Sequence, residues 1–138
     1  MDPFLVDKIN VYERLGHDKI VELSTAFYNR VYDDEEAPDF RSQFEGRSKE
    51  KAIQNQYEFF IQRLGGPSLY TERKARDKWG GHPALRARHA PFRVNTANAD
   101  RWVHHMQLAL DDVNIKGEER EALDQFFQHV AYFLRNAE

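Results

Sequence analysis

Gly81-His82-Pro83-Ala84-Leu85-Arg86-Ala87-Arg88-His89-Ala90-Pro91-Phe92 is the stretch on which the reading of this chain turns. Pro91 has no backbone N–H and cannot continue a helix, and it biases Ala90 away from helical dihedrals. His89 is therefore expected at the end of a short helical piece, in backbone that is hard to deform. A side chain held that firmly is suited to holding something else. On spacing alone it serves equally well as a half-buried histidine at a helix end.

Outward from that stretch the punctuation is Gly16, Pro38, Gly46, Gly65-Gly66-Pro67, Gly80-Gly81 and Gly117, with helical patterns between. No segment alternates apolar and polar residues for long, so the fold class is all-α. A first short helix is expected with Asp2 as N-cap and Pro3 at its first position, burying Phe4, Leu5, Ile9, Tyr12 and Leu15. A second runs from about His17 to Asp33, with Ile20, Leu23, Phe27 and Val31 in one stripe. The third starts near Ser48 and stops at Gly65-Gly66. A fourth starts near Thr96, with Asp100 expected in its first turn. Its stripe runs Ala99, Trp102, Val103, Met106, Ala109, Leu110 and Val113. The last, from about Glu118, carries Leu123, Phe126, Phe127, Val130 and Leu134. The thirty residues from Gly66 to Asn95 show little sustained period, too long for an ordinary connection in a small domain. Loops of that length are usually functional or disordered.

The 138 residues predict one domain spanning 1–138. Twenty Lys and Arg stand against 23 Asp and Glu, a net charge of −3 with the signs interspersed. No basic stripe points to nucleic acid. The N-terminal region has no long apolar run, so neither a signal peptide nor a membrane span is expected. The absence of cysteine excludes disulfides, thiolate metal sites and a cysteine nucleophile. That is compatible with a cytoplasmic protein, an organelle not being excluded. Mean hydropathy is −0.80 while 13% of residues are aromatic, ten of them Phe. The core must then be built from a few large side chains.

Polar groups fall where a core should be. At about 100° per residue the third helix gathers Ala52, Ile53, Gln56, Phe59 and Phe60 within an arc of roughly 120°, with Gln56 in the middle. An unpaired buried amide costs about 1–3 kcal/mol. Gln56 is thus either bonded to backbone in the core or facing a cavity with a polar ligand. Tyr28 borders the stripe of the second helix and Trp102 lies on that of the fourth. Each is plain core or a donor, since a buried Tyr or Trp usually finds a partner for its polar end. If the three helices converge, Tyr28, Gln56 and Trp102 supply an O–H and two kinds of N–H to one small acceptor. Of the other histidines, His104 points away from its stripe and is expected in solvent. His105 and His129 flank theirs, His17 opens a helix, and His82 precedes a proline. No His-Glu-x-x-His pattern or carboxylate pair suggests zinc, and there is neither a phosphate-binding glycine loop nor a nucleophile elbow.

Taken together the residues resemble the group II truncated haemoglobins, in the version of the plant and algal branch. The resemblance runs through Tyr12-Glu13-Arg14-Leu15-Gly16, Phe27-Tyr28-Asn29-Arg30-Val31-Tyr32, Gln56-Tyr57-Glu58-Phe59-Phe60 and Gly65-Gly66-Pro67. It continues through Gly81-His82-Pro83, Arg88-His89-Ala90-Pro91-Phe92 and Asp100-Arg101-Trp102. It covers essentially the whole chain, and the combination is specific where any one element is weak.

The resemblance implies a two-over-two helical sandwich around haem b, with His89 as the proximal iron ligand. Phe44 matches the aromatic that wedges against the porphyrin, where some relatives have Tyr. Phe59 and Phe92 are implied as further cofactor contacts. Tyr28, Gln56 and Trp102 match the distal polar residues, and Ala52 takes the gate position that is His in ordinary globins. Tyr70, His82 and Arg88 fall near where relatives approach the haem propionates. O2, NO and CO would be the ligands, with tight O2 binding and slow release, since fixed donors in a dry pocket stabilise the charge that O2 acquires. The alternative is a nitric oxide dioxygenase or peroxidase-like enzyme. That activity would need an external reductase, because the chain carries no flavin or nicotinamide domain. The third helix contains no histidine, so five-coordinate ferrous iron is expected. One departure stands out. Relatives typically run Lys-Gly-His-Pro, whereas here Ala75-Arg76-Asp77-Lys78-Trp79-Gly80 separates Lys74 from Gly81. This mostly polar insertion is expected to bulge into solvent, with Trp79 as an exposed loop aromatic or a cover for the haem edge or a partner surface.

Overall fold

The computed structural model describes residues 4–138, so the capping role expected of Asp2 and Pro3 lies outside the described residues. The described chain is all helical, without a strand. A 3₁₀ turn at Leu5–Asp7 precedes α1 (Val11–Leu15), α2 (His17–Tyr32), α3 (Pro38–Ser42), α4 (Lys49–Arg63), α5 (Leu69–Arg73), α6 (Leu85–His89), α7 (Thr96–Asp112) and α8 (Gly117–Phe133).

The four long helices make the body. α2 packs most extensively on α4 and next on α7, and α7 in turn packs on α8. Their stripes meet in one core of Ile20, Leu23, Phe27 and Val31 from α2, Phe60 and Ile61 from α4, Met106 and Leu110 from α7, and Leu123, Phe126 and Phe127 from α8. Each such side chain contributes roughly 1.5–3 kcal/mol by leaving water.

Caps set the helix ends. Ser48 accepts from Lys51 N at α4 and Asn95 from Asn98 N at α7, each meeting one of the N-terminal donors that a helix leaves unpaired. Asp100 is not in the first turn of α7. It is the fifth residue of that helix, and its carboxylate takes the Tyr132 hydroxyl of α8 instead. The expected first helix is two pieces, because the Asn10 side chain accepts from Glu13 N and starts α1 afresh. Val6 and Val11 are its fully buried residues, while Phe4, Leu5, Ile9, Tyr12 and Leu15 pack half-buried against the core. The Gly65-Gly66 stop is also a close approach: a Cβ on Gly66 would lie 2.8 Å from Tyr12 and Ile61.

The irregular stretch from Gly66 to Asn95 is more ordered than its period suggests. It contains α5 and α6, each too short to give a 3.6-residue signature. α3 escaped the pattern for the same reason, although Pro38 at its start was a usable sign.

Candidate functional site

His89 is the last residue of α6 and is half-buried. Its Nδ1 lies 2.7 Å from the Leu85 carbonyl, so Nδ1 carries the proton and donates. Burial pushes the imidazole pKa down, and the Leu85 bond offsets part of that. The ring is thus a neutral tautomer whose Nε2 lone pair meets no protein donor among the described residues. That is the state in which a histidine binds a metal, with the second nitrogen fixed by a carbonyl.

From His89 a circuit of ring contacts runs through the core and returns to its neighbour. Phe92 is 5.7 Å away, Phe44 is 6.4 Å from Phe92, and Tyr28 is 6.2 Å from Phe44. Tyr28 touches Phe27 at 4.9 Å, which touches Trp102 at 5.2 Å. Trp102 meets Phe127 at 5.8 Å, and Phe127 meets Phe60 at 5.0 Å. Phe60, Phe59 and Tyr70 follow at 6.2 and 6.0 Å, and the Arg88 guanidinium lies 5.2 Å from the Tyr70 ring. Helices α2, α4, α5, α6, α7 and α8, with the turns after α3 and α6, therefore bring His89, Phe92, Phe44, Tyr28, Trp102, Phe59 and Tyr70 into one apolar belt. Ala52, half-buried, is one turn of α4 before Gln56.

The polar ends along this belt are unmatched. Ser24, fully buried on α2, shares its single hydroxyl proton between Gln56 Oε1 at 2.8 Å and the Ile53 carbonyl at 3.0 Å. With Oε1 occupied, the Gln56 amide presents its N–H₂ group, which donates to no described residue. Neither the Tyr28 hydroxyl nor Trp102 Nε1 has a partner among the described residues. Burial pushes the Tyr28 phenol well above its ordinary pKa, and Tyr32 adds to the shift. It stays an O–H donor. The three idle donors and the idle imidazole lone pair all belong to half-buried residues, and none is among the fully buried unpaired polar atoms, so they open onto accessible space and not into a closed core. They fit an apolar, metal-centred cofactor with a small acceptor ligand.

The propionate candidates are otherwise engaged. Arg88 donates to Asp77 Oδ2 at 2.7 Å, to the His82 carbonyl at 2.7 Å and to the Pro83 carbonyl at 2.8 Å. His82 is exposed, and its Nδ1 accepts from Ala84 N at 2.8 Å. Ala84 has φ +40, a left-handed conformation that disfavours a side chain, and the His82 bond helps hold it there. Tyr70 is buried, and that burial pushes its phenol pKa up.

Sequence reasoning missed three groups. Ser24 could have been found, since it sits in the Ile20–Phe27 stripe as its one polar member. Asp77 lay in an insertion with no expected contact beyond it. The third is a buried network in which Asp34 accepts from Arg101 at 2.8 and 3.0 Å and from His105 Nε2 at 2.7 Å. His105 was expected at the edge of the α7 stripe, but it is buried there because Asp34 reaches in from beyond α2.

The helical body, the neutral His89 and the belt with its idle donors have the organisation of a globin. A family model of the bacterial-like globins matches residues 10–136, and the chain belongs to that family. It is 51% identical over 134 residues to two-on-two hemoglobin-3 of Arabidopsis thaliana, covering 96% of this chain and 73% of that one. Its fold superposes with a TM-score of 0.82 on the group II truncated hemoglobin of Bacillus anthracis, at 31% identity, covering 99% of this chain and 95% of that one. With a truncated oxygen-avid haemoglobin from Bacillus subtilis the TM-score is 0.76 at 36% identity, covering 93% and 100%. The two-over-two architecture expected from the sequence is the one observed. Among the described residues no helix is long and apolar enough to cross a membrane.

Proposed function

We propose that this chain holds haem b through His89 Nε2 and binds O2, and equally the diatomic gases NO and CO, beside Tyr28, Gln56 and Trp102. When bound, the haem iron supplies a site that takes up O2 and shifts negative charge onto it. The chain supplies the rest. His89, fixed by Leu85, presents a neutral nitrogen. Phe44, Phe59 and Phe92 offer flat apolar surface, and Ala52 leaves the gate side of α4 without a competing imidazole. Tyr28 and Trp102, fixed by packing, and Gln56, oriented by Ser24, donate towards the gas, so release is slow.

The observation that carries this reading is the set of idle groups on one aromatic belt: an imidazole lone pair and three donors without protein partners. The oxygen-avid character of the Bacillus subtilis relative supports it.

The test is an absorption spectrum of the purified protein, ferric and then dithionite-reduced, with and without added haem. A Soret band and a broad five-coordinate ferrous spectrum are expected, with His89→Ala losing haem and free imidazole restoring its retention. Sharp low-spin ferrous bands would keep the haem and overturn the five-coordinate account of its iron. No Soret band after haem addition would remove the reading altogether.

A further inference from the structure

We infer that the inserted segment 75–80 is a clamp on the proximal helix, and that Asp77 and Trp79 are positioning residues for His89. The inference rests on the reading of His89 as the haem ligand.

Asp77 first organises the insertion itself. Its Oδ1 accepts from Trp79 N at 2.9 Å and Gly81 N at 3.2 Å, its carbonyl accepts from Gly80 N at 3.0 Å, and the Trp79 carbonyl accepts from His82 N at 3.0 Å. The loop folds back onto α5, where Gly81 is seated against the Thr71 carbonyl. It does not bulge freely into solvent: Ala75, Arg76, Lys78 and Gly80 are exposed, while Asp77 and Trp79 are turned inward.

Both inward residues close on Arg88, the neighbour of His89. Asp77 Oδ2 accepts from Arg88 Nη2, and the Trp79 ring lies 4.6 Å from the guanidinium carbon, with Tyr70 at 5.2 Å. The Arg88 side chain is only 14% exposed and that of Asp77 27%. A pair so placed is screened less by water than a surface pair.

α6 needs such a tie. Five residues cannot sustain a helix by themselves. The other ties of the proximal segment run to α8 and the residues after it: Arg86 donates to the Phe133 carbonyl at 3.2 Å, and Asn136 Nδ2 donates to the carbonyl of Phe92, just beyond α6, at 2.9 Å. Those ties hold one side of the proximal segment, and the insertion holds the other. Of the Arg88 nitrogens, Nη2 is held by Asp77 and the His82 carbonyl and Nε by the Pro83 and His82 carbonyls, leaving Nη1 as the nitrogen free to face an acidic group on the cofactor. The clamp therefore fixes both the tilt of the His89 ring and the share of the Arg88 charge that a haem carboxylate receives.

The experiment compares wild type, Asp77→Asn, Asp77→Glu and Trp79→Leu as haem-loaded protein. The iron–histidine stretching band of the reduced, unliganded form is read by resonance Raman, and haem transfer to an excess of an acceptor apoprotein is timed. Asp77→Asn and Trp79→Leu are expected to shift or broaden the band and to speed haem loss about tenfold, the lower end of what losing an outer-shell partner costs a metal site. Asp77→Glu should restore the band at least in part. Trp79→Leu keeps the test available if Asp77→Asn does not fold. An unmoved band and unchanged haem loss in folded variants would overturn the clamp while leaving the haem reading intact. No Soret band in the wild type would overturn both.

Discussion

The hydroxyl of Ser24 on α2 lies 2.8 Å from Oε1 of Gln56 on α4 and, with its one proton shared with the Ile53 carbonyl, biases which end of that amide faces the aromatic belt. A Gln amide has a donor end and an acceptor end of nearly the same shape, and only a hydrogen bond distinguishes them. Ser24 holds the acceptor end, leaving the N–H₂ group on the side where the proposed gas ligand would sit.

Ser24→Ala removes that restraint without opening much space. The amide can then turn its oxygen towards the ligand, where it repels rather than stabilises. We expect the O2 off-rate to rise about fivefold, the equivalent of roughly 1 kcal/mol for one hydrogen bond, while haem affinity stays put. Stopped-flow displacement of O2 by CO reads the rate. An off-rate equal to wild type would mean that packing alone orients Gln56.

The two aromatic donors should differ in kind from Gln56, because neither depends on a neighbour for its orientation. Trp102→Phe and Tyr28→Phe keep the apolar body and delete one donor. Each should raise the O2 off-rate by about 5- to 30-fold, the kinetic equivalent of 1–2 kcal/mol. Because burial drives the Tyr28 pKa well upward, its proton stays in place at ordinary pH. The wild-type off-rate should therefore be flat from pH 6 to 9. A step in that range that Tyr28→Phe abolishes would show the phenol ionising and contradict the burial argument.

Acid should weaken the fold in two stages through the Asp34 network. Burial lowers the His105 pKa below its ordinary 6.5, and the Asp34 hydrogen bond only partly offsets this. As pH falls through 6.5 the unfolded chain takes up a proton that folded His105 refuses, so stability declines. The Asp34 carboxyl is held far below its ordinary 3.8, chiefly by Arg101, with His105 and the Glu36 backbone N–H helping against burial. Its contribution is complete above about pH 4 and lost below as the carboxylate is forced to protonate. Arg101, His104 and Glu36 are the other charged or titratable groups around this pair, and Phe40 stacks on the His105 ring at 5.7 Å. Urea midpoints of wild type and His105→Gln between pH 4 and 8 measure the first stage. The variant should be less stable at pH 8 yet flatter between 6.5 and 5. A slope as steep as wild type would assign that stage to other groups.

The long helices were legible in the sequence because their stripes obey one period, and His89 was legible because Pro91 marks its place. Tyr28, Gln56 and Trp102 stood out as polar groups in apolar stripes. What escaped was carried by contacts between segments far apart in the chain. Nothing near Asp77 announces Arg88, nothing near Asp34 announces His105, and helices of five residues have no period to read. The expected bulge at 75–80 followed from polarity alone, but two of its side chains face inward because each has a partner there. Polarity predicts exposure only where no such partner exists.

Gly81 tests how tightly the insertion is seated. Its φ is +81, and a Cβ there would sit 2.4 Å from the Thr71 carbonyl oxygen. That oxygen cannot easily move, since Thr71 is pinned to Gln62 by two hydrogen bonds, Gln62 Nε2 to Thr71 Oγ1 at 2.7 Å and Thr71 N to Gln62 Oε1 at 2.9 Å. Gly80, next to it, has φ +61 but nothing within 4 Å of an added Cβ. The pair separates the two costs of an alanine. Gly80→Ala carries the left-handed backbone penalty alone, about 1–2 kcal/mol. Gly81→Ala carries that penalty together with a backbone clash of about 1–3 kcal/mol more. Urea denaturation of both variants as haem-loaded protein should place Gly81→Ala clearly below Gly80→Ala, and haem loss should quicken for Gly81→Ala first. Equal midpoints would mean that the segment shifts as a body away from α5, and that the seat is looser than the contact with Thr71 implies.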